Sequence, residues 1–171
     1  MTNKYIVLNK AVGQWHQDRD TVNGSTIVHQ FGKLAEEAMS EVCRAIREEN
    51  VSELIDGIGD SMVVLNCMIQ QIGYSPDHVI TELPHEKSSE PEEVVVMDFV
   101  SSFGDIFHPI ARGKGNDVIL EAMQVFYTNL YVLAIEFDVD PYTCYAVAYN
   151  EIKNRKGRMI GNVFVKESDL D

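Results

Sequence analysis

Two pairs of carboxylates in the N-terminal half have the types and spacing to hold divalent cations. Glu37 and Glu41 are four residues apart, and so are Asp56 and Asp60. On helices, that spacing puts each pair on one face. Lys33, Glu37 and Glu41 form a stripe beside the apolar face of Phe31, Leu34, Ala38 and Val42, while Glu53, Asp56 and Asp60 border Leu54, Ile58 and Leu65. Four carboxylates gathered at the edge of a core repel one another and are costly to desolvate unless protonated or neutralised. An oxygen-only ligand set without His or Cys selects Mg²⁺, or Mn²⁺, rather than zinc. The competing reading is a solvated face on which Glu37 or Glu41 pairs with Lys33 or Arg44 across a turn. Glu53 has its own alternative as the capping partner of Asn50, and Glu36 points away from the stripe.

Basic groups gather late in the chain. Lys153, Arg155, Lys156, Arg158 and Lys166 supply five of its 14 Lys and Arg residues, in a protein with a formal charge of -13. Such a cluster suits an anionic ligand, although a helix C-terminus also favours cations. Gly157 and Gly161 would let this tail fold over a ligand. Trp15, the single tryptophan, reads first as a plain core residue beside His16 and, as the competing reading, as a group that stacks on a base. His29, His78, His85 and His108 lack ligand spacing. Cys43, Cys67 and Cys144 fit neither a zinc pattern nor a disulfide framework, which points to a reducing cytosol.

The elements that must position these groups read as helices. With 171 residues, 45% apolar and 24% charged, the chain is long enough for one domain with a genuine core. Its acid excess argues against nucleic acid or anionic membrane as a partner. No cationic start leads into an apolar run and no stretch approaches 18 apolar residues, so a soluble, cytoplasmic protein is expected. Apolar periodicity predicts helices over 4–19, from a cap at Ser25 or Thr26 to about 48, and from a capping box at Asn50 and Glu53 to about 72, stopping at Gly73. A loop over 75–92 precedes helices at about 93–111, 116–137 and 141–153 and a basic, irregular tail over about 150–171. No strand pattern is evident, and the expected class is an all-α helical bundle.

A shift of 65 residues lays Leu34, Ala38 and Val42 on Phe99, Phe103 and Phe107, and Leu54, Ile58, Met62, Leu65 and Met68 on Ile119, Met123, Tyr127, Leu130 and Leu133. This suggests a degenerate duplication of a helix hairpin, with a first copy over about 26–72 and a second over about 93–137. Any two amphipathic hairpins can also be slid into register. The second copy carries Ser102, Ile106, Glu121 and Val125 where the first has its acids, so a metal is expected at the first alone. Its extra aromatic residues suggest a symmetric dimer interface.

Lys33-Leu34-Ala35-Glu36-Glu37-Ala38-Met39-Ser40-Glu41 followed by Asp56-Gly57-Ile58-Gly59-Asp60 resembles the all-α nucleoside triphosphate pyrophosphohydrolases. That superfamily includes the MazG-like enzymes, phosphoribosyl-ATP pyrophosphohydrolase and the dimeric dUTPases, whose duplicated layout is similar to the one read here. The usual pattern, Glu-Glu-x-x-Glu then Glu-x-x-Asp, differs by one position, which leaves Glu36 or Glu53 as alternative ligands. Asn150 to Arg158 resembles the family's late basic motif. The resemblance implies Mg²⁺-dependent hydrolysis of a nucleoside or deoxynucleoside triphosphate to the monophosphate and pyrophosphate, by a homodimer. It implies Glu37, Glu41, Asp56 and Asp60 as ligands, one of the two glutamates as general base, and Lys33, Trp15, Lys153, Arg155, Lys156 and Arg158 as substrate contacts. Alternatives are phosphoribosyl-ATP hydrolysis and a noncatalytic helical dimer that binds a nucleotide or metal.

Overall fold

The computed structural model describes residues 3–79 and 83–170. Helix α1 (Asn3–Asp18) leads through a short α2 (Thr21–Gly24) to α3 (Ile27–Leu34), a π-helical stretch (Ala35–Val42) and α4 (Cys43–Arg47). Then come α5 (Val51–Gln71), α6 (Glu92–Ala111), α7 (Asn116–Glu136) and α8 (Pro141–Ile152). The all-α class holds, with one small addition: the tail forms an antiparallel hairpin of β1 (Gly157–Ile160) and β2 (Val163–Lys166). The expectation of an irregular tail is therefore corrected. Gly161 and Asn162 both have positive φ, at 54° and 69°, as a two-residue turn matched to the twist of a hairpin requires.

The caps follow the local chemistry. Thr26 accepts from the His29 amide at 3.2 Å and opens α3. Asn50 accepts from the Glu53 amide at 3.3 Å and opens α5, but the Glu53 carboxylate turns to Arg44 at 3.3 Å, so the reciprocal half of the capping box is not made. Gly73 ends α5 at φ 87°, and the Tyr74 amide reaches back to the Ile69 carbonyl at 3.1 Å, as in a left-handed helix stop. The loop at 75–92 contains a 3₁₀ turn at Pro76–Val79, with residues 80–82 outside the described part.

Helix α5 is the central post, and its two glycines show why. A Cβ on Gly57 would lie 3.0 Å from Val42 Cγ2 and 3.5 Å from the Glu37 carbonyl oxygen; one on Gly59 would collide with the Cys144 carbonyl and come within 2.9 Å of Ala148 Cβ. The close approaches have two different partners: the π segment at Gly57 and α8 at Gly59. The cost of glycine inside a helix, about 0.5–1 kcal/mol, is offset by backbone-to-backbone packing that brings the two acid-bearing segments together.

Helices α6 and α7 form their own hairpin. The α5 positions Ile58, Met62, Leu65 and Met68 are buried, and so are Met123, Tyr127, Leu130 and Leu133 at the 65-residue shift. On α6 the correspondence breaks: Phe99 is buried, Phe103 is partly buried, and Phe107 is 56% exposed where Val42 is fully buried. Most of the aromatic surface is used inside the chain, with Phe31 stacked on Phe103 at 4.7 Å and Phe99 packed on Phe126 at 5.5 Å. Helices α6 and α7 are also long and apolar enough to cross a membrane by length and composition alone, and they lie largely at the surface, only 28% and 39% of their most apolar windows being buried.

Candidate functional site

Glu37 and Glu41 lie on the π-helical stretch. Its i→i+5 bonding puts more residues in each turn than an α-helix, so side chains four apart stack more directly; such segments recur at functional sites. Periodicity of 3.6 could not reveal this. Across the Gly57 contact, α5 presents Asp56 and Asp60, and all four acids are partly buried. Glu36 is exposed, and Glu53 is held by Arg44.

Glu37 and Asp60 sense the acids around them. Burial first, then the charges of Asp60, Glu41 and Glu36, raise the Glu37 pKa from its ordinary 4.5 to about 7, with Lys33 opposing. Burial and then Asp56 raise Asp60 from 3.8 to about 6, with Arg155 opposing and Glu151 and Glu41 adding to the rise. Glu151, on α8, is an acid near the cluster that the helical spacing of the two pairs did not reveal. As the side chains stand, the described residues contain no group of three or more such ligands set around one ion. The donor chemistry fits a hard cation, since the acids are carboxylates whose mutual repulsion a divalent ion would relieve.

A pocket of about 180 Å³ opens beside them. Its lining combines the charged Lys33, Glu37, Asp60, Arg155 and Lys166 with Trp15, Val63, Val64, Met159 and Phe164, and includes His29 and Gln30. That volume is below the 300–1,000 Å³ usual for whole ligands, so it would enclose only part of a larger one. The wall nearest the tail is fixed by α1. Trp15 Nε1 donates to the Ile152 carbonyl at 2.8 Å, and its ring packs on Phe164 at 5.8 Å. Arg19 lies over the Trp15 ring at 4.7 Å and donates to the carbonyls of Arg155 at 2.9 Å and Lys153 at 3.1 Å.

The sequence-derived substrate contacts separate in space. Lys33, Trp15 and Arg155 line the pocket. Lys156 joins Arg155 and Lys166 in an adjoining basic groove. Lys153 turns to Asn150 Oδ1 at 2.7 Å, and Arg158 is exposed on β1, outside the lining of both. Trp15 is only 8% exposed, as a core residue would be, and it also lines the pocket. His16 is buried and its pKa is lowered to about 4 by that burial. Its Nε2 faces the Val63 carbonyl at 3.0 Å and Nδ1 the Thr21 hydroxyl at 2.7 Å, so the ring is neutral and carries its proton on Nε2. Gln30, Met159 and Phe164 were missed by sequence reasoning. The Gly161-Asn162 pair between short apolar runs was the available signal for the last two.

No family model matches the chain, and no solved structure matches it. An uncharacterised 18.2 kDa protein from the rep-hol intergenic region of Haemophilus phage HP1 is similar to it, 38% identical over 64 residues. The match spans 37% of this chain and 39% of the phage protein, less than half of either.

Proposed function

We propose that the protein is a Mg²⁺-dependent nucleoside triphosphate pyrophosphohydrolase. The observation that carries this reading is one pocket whose lining gathers the mutually repelling Glu37 and Asp60, the cations Lys33, Arg155 and Lys166, and the rings of Trp15 and Phe164. The π-helical stretch supports it, because it gives a helical home to the extra residue that separates this chain from the Glu-Glu-x-x-Glu pattern.

In this reading a base stacks near Trp15 and Phe164, and Lys33, Arg155 and Lys166 take the phosphate oxygens. Glu37, Glu41, Asp56 and Asp60 would hold Mg²⁺, or Mn²⁺, which when bound neutralises phosphate charge and makes bound water more acidic. Glu37 or Glu41 takes the proton of the attacking water. Water oxygen bonds to the α-phosphorus as the α–β bridging bond breaks, and pyrophosphate leaves toward the basic tail. The reading extends to a homodimer joined through the exposed apolar side of α6 and α7, where Met97, Phe107, Val118 and Val125 stand in solvent, to a cytoplasmic location, and to a degenerate hairpin duplication that left one metal cluster per chain.

A panel of ribo- and deoxynucleoside triphosphates with phosphoribosyl-ATP, assayed with Mg²⁺ for pyrophosphate release, tests the proposal. Turnover of at least one triphosphate is expected, and Glu37→Gln, Glu41→Gln, Asp56→Asn and Asp60→Asn should each remove most of it. Preference for phosphoribosyl-ATP would favour that alternative substrate. A second reading is a noncatalytic nucleotide or metal sensor; nucleotide-dependent stabilisation without any turnover would select it.

A further inference from the structure

Two side chains at the C-terminal end of α1 take up three carbonyls at the junction between α8 and β1. Trp15 Nε1 donates to the Ile152 carbonyl at 2.8 Å. Arg19, directly after α1, donates from Nη2 to the Lys153 carbonyl at 3.1 Å and from Nε to the Arg155 carbonyl at 2.9 Å. Carbonyls at a helix C-terminus lack partners within the helix, and a cation there is also favoured by the helix dipole. The two donors are held against each other, because the Arg19 guanidinium lies over the Trp15 ring at 4.7 Å. Arginine has the shape for this and lysine does not. Nε and Nη2 leave one rigid plane toward separate carbonyls while the face of that plane covers an aromatic ring, whereas a lysine ammonium is a point charge on a flexible stem.

The residue fixed by these bonds is Arg155. Its amide donates to the Ile152 carbonyl at 2.8 Å and its own carbonyl is bound by Arg19, so its backbone is tied on both sides. From there its Nη2 reaches back to 3.5 Å from Glu151, and its charge opposes the rise in the Asp60 pKa. Arg155 lines both the pocket and the adjoining basic groove, whereas Arg19 lines neither. We propose that Arg19 is a positioning residue: it aims the Arg155 guanidinium at an anionic phosphate group in the pocket beside Glu37 and Asp60, without touching that anion itself. Released from Arg19, the turn after α8 would carry the guanidinium through a range of positions, and an anion would have to order it on binding; the tether makes that ordering in advance. The inference rests on the phosphate-binding reading of the pocket and adds to it the group on which Arg155 depends.

A double-mutant cycle tests this, because a residue that only stabilises the fold acts equally with and without the Arg155 side chain. Wild type, Arg19→Lys, Arg155→Ala and the double variant are compared for kcat/KM on a panel of nucleoside triphosphates with Mg²⁺. They are also compared for the dissociation constant of inorganic pyrophosphate with Mg²⁺ by calorimetry, which needs no turnover, and thermal melts establish that each is folded. Arg19→Lys should weaken both quantities by about fivefold or more when Arg155 is present, and by less than about twofold in the Arg155→Ala background. Arg19→Met keeps an apolar stem over Trp15 and removes every donor, and it takes the place of Arg19→Lys in the cycle if that variant does not fold. Equal losses in the two backgrounds, or no loss in either, overturn the role of Arg19 and leave the hydrolase reading standing. A loss of pyrophosphate affinity that depends on Arg155, without turnover of any triphosphate, upholds Arg19 and overturns the hydrolase. Neither turnover nor pyrophosphate binding by the wild type overturns both.

Discussion

With divalent cations chelated at pH 8, Asp60→Asn is expected to be more stable than the wild-type protein. The Asp60 carboxyl is raised from 3.8 to about 6, by burial first and by Asp56 second, against the attraction of Arg155. At roughly 1.36 kcal/mol per pH unit, ionising it in the folded state costs about 3 kcal/mol. Part of that cost is screened by solvent, because the side chain is only partly buried, so a gain of about 1–2 kcal/mol is expected. For a chain of this size, that raises the melting temperature by about 2–8 °C. The sign follows from proton binding. Between pH 3.8 and about 6 the folded wild type holds a proton that the unfolded chain has lost, so wild-type stability falls as pH rises through that window and Asp60→Asn escapes the fall. The advantage should be complete above pH 6 and fade toward pH 4. Thermal melts in EDTA at pH 4 and pH 8 measure both. A variant that melts at or below wild type at pH 8 would refute the argument that the acids of α5 and the π segment repel one another.

Three further outcomes are expected. Millimolar Mg²⁺ should raise the melting temperature of the wild type by mass action and leave the Glu37→Gln/Asp60→Asn double variant nearly unmoved; a flat wild-type titration counts against the metal site. Gly59→Ala should lose about 1–3 kcal/mol, because its Cβ meets α8 backbone at Cys144, and denaturant unfolding would show an unchanged midpoint if that contact could relax. Sedimentation at micromolar concentration should show a dimer that Met97→Ser/Phe107→Ser drives to monomer, whereas a monomeric wild type removes the α6–α7 face from the interface.

The helices were legible because their signals are local. Thr26, Asn50, Asp140 and Gly73 mark ends through bonds made within a few residues, and the apolar stripes of α5 and α7 repeat at one helical period. The acid pairs were legible for the same reason. The π-helical stretch was not, since counting at 3.6 residues per turn assumes the bonding that Ala35–Val42 departs from. The tail hairpin escaped because each strand has four residues, too few for alternation to stand out. Gln30 escaped for another reason: what fixes its amide is Ser25, whose hydroxyl is also held by Thr21 and Gln71. Gln71 lies 41 residues further on, and nothing about a lone glutamine announces such an arrangement.

The bonds from Trp15 to the Ile152 carbonyl and from Arg19 to the Arg155 carbonyl join residues 137 and 136 positions apart. During synthesis, α1 and both acid-bearing segments leave the ribosome long before their closing wall exists. The carboxylates can then meet without Arg155 or Lys166 beside them, and Trp15 lacks its Phe164 neighbour. Contacts of such long separation form late, because a large loop must be closed before they are rewarded. The pocket is thus the last region to mature. A product cut short before residue 152 would retain its acids and much of its helical core, yet would lack the Ile152, Arg155 and Phe164 side of the pocket.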